Sequence, residues 1–486
     1  MEPQEYLEHD ATALADLVAR GEVAAPELLS LARRRRDEVN PTLNAVVLDL
    51  GDVADRRAAD PSLAGPFAGV PFLVKDLGQE YAGFPTSNGS RSLAADVADR
   101  HALVTQRFLD AGLVIFGKTN TPEFGAKGVT ESEHWGPARN PWHTDHTPGG
   151  SSGGAGAAVA VGIVPAAGAN DGGGSVRIPA ACNGLVGLKT SRETMFGMVT
   201  QGVLSRTVRD SAALLDAIIS PDPRSGYRAA QHDVPFADLV RDRPGTLRIG
   251  YSASSAINAS PDPEAIAALE GAARLLAELG HQVEEVSPPH DDEALARDFL
   301  TIWFAQLYSQ VSDAKDRLGS PDSHFEADTL ASAELGRATG LLPMLRALQN
   351  VNAYVHALAQ FHERYDFFLT PTLAKPPLPV GATTTPDRLQ KISRVVARLR
   401  AGKLLTASGV MDEIIADNLG WVPYTQLANL TGRPAISVPL HWTAAGLPLG
   451  VQFVGRLGAD GDLLQLAAQL EQAQPWAQRH PAPVSR

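Results

Sequence analysis

A single cysteine, Cys182, stands among 486 residues, so no disulfide can form within the chain. That fits a reducing compartment. Long apolar runs are missing too. The most apolar stretch, residues 155–169, is 15 residues long, short of the roughly 20 that cross a bilayer as a helix. The N-terminal MEPQEYLEHD carries neither the basic nor the apolar segment of a secretory signal. Sequons at Asn88, Asn258 and Asn429 are therefore read as chance matches. Basic residues are outnumbered 42 to 55, giving a net charge of −13. Binding to a polyanion releases counterions only from a basic surface, so no nucleic-acid partner is expected. The expectation is a soluble cytoplasmic protein without a membrane partner.

What is present has helical and strand periodicity in alternation. The first 60 residues read as helical, with apolar side chains three and four apart over 11–19 and 26–39. The four arginines at 33–36 are expected near a helix C-terminus, as a solvated face that offsets the helix dipole. Residues 70–75, short, apolar and flanked by Gly69 and Gly78, read as a buried strand. A helix over 101–111 closes on Gly112 and leads into a strand over 113–116. Another over 262–279 closes on Gly280, with strands at 247–251 and 283–286 around it. This rhythm implies an α/β chain whose mixed or parallel sheet is covered by helices. Patches rich in Pro and Gly at 220–226, 375–379 and 383–386 read as surface loops. Residues 313–420 are the least readable part, helical in pattern, as a lid or a wall for a ligand would be.

Two motif matches fail on context. Gly112-Leu-Val-Ile-Phe-Gly-Lys118-Thr119 fits the phosphate-binding G-x-x-x-x-G-K-[ST] pattern. That loop needs four exposed middle residues, and Leu-Val-Ile-Phe belongs in a strand core. Lys118 and Thr119 are expected to begin the turn after it. Gly149-Gly-Ser151-Ser-Gly153 fits the G-x-S-x-G elbow. An elbow needs a strand before it and a catalytic histidine after it. Residues 140–148 look like a loop, and His356, His362 and His441 stand in no recognisable catalytic setting. His143, Asp145 and His146, like His290 and Asp292, lack both helical ligand spacing and a third ligand. They are expected in exposed loops, with no metal or other cofactor.

The stronger signal is composite. Lys75 ends the apolar run Gly69-Val-Pro-Phe-Leu-Val-Lys75-Asp76. A lysine there loses hydration, which favours the neutral amine and supplies a base near pH 7. Pro148-Gly-Gly-Ser151-Ser152-Gly-Gly then leads into an alanine-rich helix. Asn170-Asp171-Gly172-Gly173-Gly174-Ser175-Val-Arg177-Ile-Pro follows. With no side chains at 172–174, backbone N–H groups can close on a substrate oxygen as an oxyanion hole. Asp171 and Arg177 bracket that loop and are expected to pin it as a buried ion pair, a supporting role.

These elements, in this order and spacing, resemble the amidase signature family. Ser151 and Ser175 lie 24 residues apart and Lys75 precedes Ser151 by 76. Further landmarks, among them Gly117-Lys-Thr-Asn-Thr-Pro122, Phe368-Leu-Thr-Pro-Thr372, Asn429-Leu-Thr-Gly-Arg-Pro434 and Gly446-Leu-Pro-Leu-Gly-Val-Gln452, spread the resemblance over nearly the whole chain. It implies one domain over 1–486, with helices at about 5–60, a catalytic core at about 65–220 and the divergent region at about 313–420. A large mixed sheet would lie between helices on both sides. It also implies a Ser–cisSer–Lys triad: Ser175 as nucleophile, Ser151 as a bridge following a cis peptide after Gly150, and Lys75 as base. Ser152 would support the loop, and Gly125, after Asn120-Thr-Pro-Glu-Phe124, would leave room in an acyl channel. The implied substrate is a small-molecule amide or carbamate; the oligomeric state is open, many relatives being dimers.

Three departures stand out. Asn170 replaces the usual threonine, the glycine run is one longer, and Lys189-Thr190-Ser191 replaces K-P-T. The chain is also short between 189 and 207, which suggests a more open acyl pocket. The N-D-x-x-G-S form is similar to that of members that hydrolyse nylon oligomers or related synthetic amides. The alternative is a glutamine-hydrolysing subunit of a tRNA-dependent amidotransferase, whose substrate-holding charges are not identifiable in 313–420.

Overall fold

The computed structural model describes residues 1–192, 198–219, 233–403 and 410–482. The loop expected at 220–226 and residues 193–197 of the short connection lie outside the described residues. Among the described residues thirteen strands form: β1 (Val46–Asp49), β2 (Pro71–Lys75), β3 (Val114–Thr119), β4 (Glu131–Ser132), β5 (Gly136–Pro137), β6 (Ala166–Asp171), β7 (Val186–Lys189), β8 (Thr200–Ser205), β9 (Arg248–Tyr251), β10 (Gln282–Glu285), β11 (Phe367–Pro371), β12 (Ala435–Trp442) and β13 (Pro448–Gly455). Eleven join one sheet in the order β1-β3-β2-β6-β8-β7-β12-β13-β11-β9-β10, and β4 with β5 makes a small hairpin.

The sheet is mixed. β3, β2 and β6 run parallel, as do β11, β9 and β10, while the strands between are antiparallel. Every residue of β2, β3 and β6 is buried, which is why β2 and the first part of β3 read as continuous apolar runs without alternation. Helices cover both faces. The helix Gly153–Ala160 is buried all round, and its Gly and Ala residues let it lie close to β2, β3 and β6.

Four local expectations need correction. The N-terminal region is not wholly helical: Val46–Asp49 pairs antiparallel with β3 as the sheet's edge. The arginine run lies mid-helix, since that helix continues to Leu43. It does not compensate a dipole. Arg33 pairs with Asp55 at 2.5 Å, Arg35 with Glu38 at 2.9 Å, and Arg36 with Asp37 and Asp49. Lys118 and Thr119 complete β3 and begin no turn; the Lys118 ammonium is buried against Pro85 O and Thr86 Oγ1. Within 313–420, Phe367–Pro371 is a core strand between β13 and β9. The rest of that span's described secondary structure is helical, including Ala327–Thr339, Leu341–Arg364 and Asp387–Arg398.

Candidate active site

Parallel pairing of β2 with β6, with Leu73 opposite Ala167, brings the C-terminal ends of both strands to one edge. Crevices form at such strand ends. Lys75, the last residue of β2, therefore faces Asn170 near the end of β6. Its side chain is completely buried, with Nζ 2.7 Å from Ser151 Oγ and 2.8 Å from Asn170 Oδ1. Burial lowers the lysine pKa from 10.5 to about 7, against the pull of Asp171 in the other direction. Near neutral pH, then, a substantial fraction of this amine is uncharged while in contact with a serine hydroxyl.

Ser151 follows a cis Gly150–Ser151 peptide bond. Its loop is pressed against other backbone. A Cβ on Gly150 would lie 2.7 Å from the Val129 carbonyl, and one on Gly154 would lie 2.4 Å from Asn120 N. Thr130 Oγ1 donates to Gly149 O at 2.9 Å. Ser152 donates to Asn170 O at 3.3 Å, tying this loop to β6.

Ser175 sits in the turn that enters the helix Arg177–Asn183. It is 8% exposed, and its hydroxyl has no partner among the described residues. The turn's shape comes from the Asp171 carboxylate, which accepts from Gly174 N at 2.7 Å, Val176 N at 3.1 Å and the Arg177 guanidinium at 2.9 Å through both Nε and Nη2. Asp171 and Arg177 are both fully buried, and the Asp171 pKa lies far below the carboxylate range because the adjacent guanidinium outweighs desolvation. Arg177 also reaches Thr425 O at 2.8 Å, Gln452 Oε1 at 2.5 Å and Asn429 Oδ1 at 2.6 Å. Gly174, expected among the oxyanion donors, thus has its N–H committed to Asp171. The N–H groups of Gly172, Gly173 and Ser175 remain without partners among the described residues.

Gly125 lies beside Ser151, in a position that leaves no space for a side chain. A Cβ there would meet Leu77 Cδ2 at 2.7 Å and Ser151 Oγ at 3.2 Å, and φ is +66°. The glycine is needed for backbone conformation and close approach. His441 bonds to Glu264 and His362 to Tyr365 O. His146 and His290 are partly buried, not exposed, and no group of three potential metal ligands occurs among the described residues.

Several contacts escaped the sequence reading. Phe299 and Trp303, stacked at 5.5 Å on the helix Asp292–Leu318, close over the glycine run. Hypothetical Cβ atoms on Gly173 and Gly172 would lie 2.8 Å from Phe299 and 3.0 Å from Trp303. Thr425 Oγ1 donates to Gly173 O at 2.6 Å. Asn429 and Gln452 belong to stretches noted as family landmarks, yet nothing local in them signals a bond to Arg177.

A family model described as Amidase matches residues 27–464. The 6-aminohexanoate-cyclic-dimer hydrolase of Pseudomonas sp. (strain NK87) is 35% identical over 491 residues, covering 97% of this chain and 96% of that protein. A solved structure of 6-aminohexanoate cyclic dimer hydrolase complexed with substrate matches with a TM-score of 0.89 at 33% identity, over 99% of this chain and 100% of that one. A bacterial aryl acylamidase of the amidase signature enzymes matches at 0.84 with 26% identity, over 97% of each chain. With a buried lysine on a serine beside a glycine-walled turn, these matches make the chain a member of the amidase signature family, a hydrolase acting on amides.

Proposed function

We propose that the chain hydrolyses amide bonds of aliphatic amides of the 6-aminohexanoate type through an acyl-enzyme on Ser175. The observation that carries this is the 2.7 Å contact between fully buried Lys75 and Ser151. Neutral Lys75 takes the Ser151 proton as Ser151 takes that of Ser175, whose Oγ bonds to the acyl carbon. The negative charge on the carbonyl oxygen falls to the N–H groups of Gly172, Gly173 and Ser175, donors held in place before reaction. As the C–N bond breaks, the proton passes back through Ser151 to the leaving amine. Water then attacks the ester along the same relay, freeing the acid and restoring Ser175. Carbamates present the same trigonal acyl carbon and are the second substrate group.

A panel of purified-enzyme assays tests this: the 6-aminohexanoate cyclic dimer, linear aliphatic amides, a neutral anilide, a carbamate and glutamine. Amide cleavage without any partner protein is expected. Strict use of glutamine would contradict the proposal and favour the amidotransferase-subunit alternative.

A further inference from the structure

Asn170 stood out in the sequence only as a departure from threonine, and the relay above gives it no task. Its surroundings do. The residue is 4% exposed. Its Nδ2 donates to Leu77 O at 2.7 Å and its Oδ1 accepts from Lys75 Nζ at 2.8 Å. The Leu77 carbonyl accepts only, so it fixes the amide's orientation and leaves the oxygen facing the lysine. Gly78, at φ +66°, lies alongside this amide, where a Cβ would meet Asn170 Nδ2 at an ordinary contact distance of 3.4 Å. The lysine's backbone is held as well, since Lys75 N donates to Gln79 Oε1 at 2.8 Å and Gln79 Nε2 donates to Ala169 O at 3.1 Å.

We infer that Asn170 is the positioning residue for Lys75, a pure acceptor that takes a lysine N–H in either protonation state and so keeps the amine's one lone pair directed at the Ser151 proton. A hydroxyl in its place can turn and donate to that lone pair, competing with Ser151; a side-chain amide held by Leu77 O cannot. The same oxygen bonds the ammonium more strongly than the amine, because charge-assisted bonds are stronger. It therefore also bears on the pH at which the base becomes available. A carboxylate at 170 would favour the ammonium further, and an apolar side chain would favour the amine.

This rests on the proposed Ser175 acyl-enzyme reading, and the experiment separates the two. The rate of covalent labelling by a fluorophosphonate probe is measured across pH for the parent, Asn170→Asp, Asn170→Leu and Asn170→Thr, with thermal melting as the check on folding. In the labelling step Ser175 Oγ bonds to phosphorus, fluoride leaves and the serine proton passes to Lys75. The Asp variant is expected to move the acid limb up by about one pH unit or more. The Leu variant should move it down and lower the plateau about 100-fold; the Thr variant should keep the limb and lose about tenfold in plateau. Opposite movements of the limb in Asp and Leu are what a merely structural role would not produce. If Leu fails to fold, the Asp and Thr profiles still decide the matter. A parent that labels on Ser175 while the Asp variant keeps its acid limb unmoved overturns this inference alone. A parent that does not label overturns the reading on which it rests.

Discussion

At the scale of single residues the account turns on what burial does to charge. Lys75 has no exposed surface and no carboxylate in contact, so desolvation brings its pKa to about 7. The lysine acts as a base only when neutral, so kcat/KM should rise tenfold per pH unit below about 7 and level above it. Lys75→Ala should abolish that limb together with at least 1,000-fold of the activity, measured as hydrolysis of a neutral anilide. Arg177 shows the converse, a buried guanidinium matched by the Asp171 carboxylate and by the side-chain oxygens of Asn429 and Gln452. Arg177→Met strands the Asp171 carboxylate in the interior. A loss of about 3–5 kcal/mol in urea unfolding is expected, with most of the activity. The division of roles between the two serines came only from the family resemblance. The buried lysine and this ion pair were legible in the sequence because each is flanked by glycine or by an apolar run with few alternative meanings. Asn429, Gln452 and Thr425 were not, because hydrogen bonds across some 250 residues leave no local pattern.

Among elements, the long helix Asp292–Leu318 matters most to the site. Its Phe299 and Trp303 lie on the glycine run, so the absent side chains at 172 and 173 serve helix packing as well as backbone access. Gly173→Ala should push Phe299 aside and lower kcat at least tenfold, and Phe299→Val in the same chain should restore part of that loss, since the clash is with the ring end. No restoration would mean that the loss arises in the backbone at 173. β2, β3, β9 and β10 and the glycine-capped helices beside them were readable because their patterns are short and strong; the central strands β6, β7, β8, β12 and β13 were not read as strands at all. β1 was missed because four residues following a helix gave too little alternation to see. β11 was hidden between two helices whose own apolar spacing dominated the segment.

Over the whole molecule, one sheet of eleven strands carries the site where β2 and β6 end side by side, and burying these strands also buries lysines. Lys189, at the end of β7, is brought to about pKa 7 by desolvation and donates to Thr190 O and Arg433 O. Its folded pKa lies below the unfolded value near 10.5, so the unfolded chain binds more protons between about pH 7 and 10.5. Stability from this group therefore rises with pH across that window, by up to about 1.4 kcal/mol per pH unit. Urea midpoints at pH 7.5 and 9.5 should show the parent gaining on Lys189→Met as pH rises; parallel pH dependence would exclude a buried neutral lysine. The central claim is the division of labour between Ser151 and Ser175, and locating a fluorophosphonate adduct by mass spectrometry tests it most directly. The adduct is expected on the Ser175 peptide, forming faster as pH rises through about 7, and absent from Ser175→Ala. An adduct on Ser151, or equal labelling of Ser175→Ala, would contradict the account.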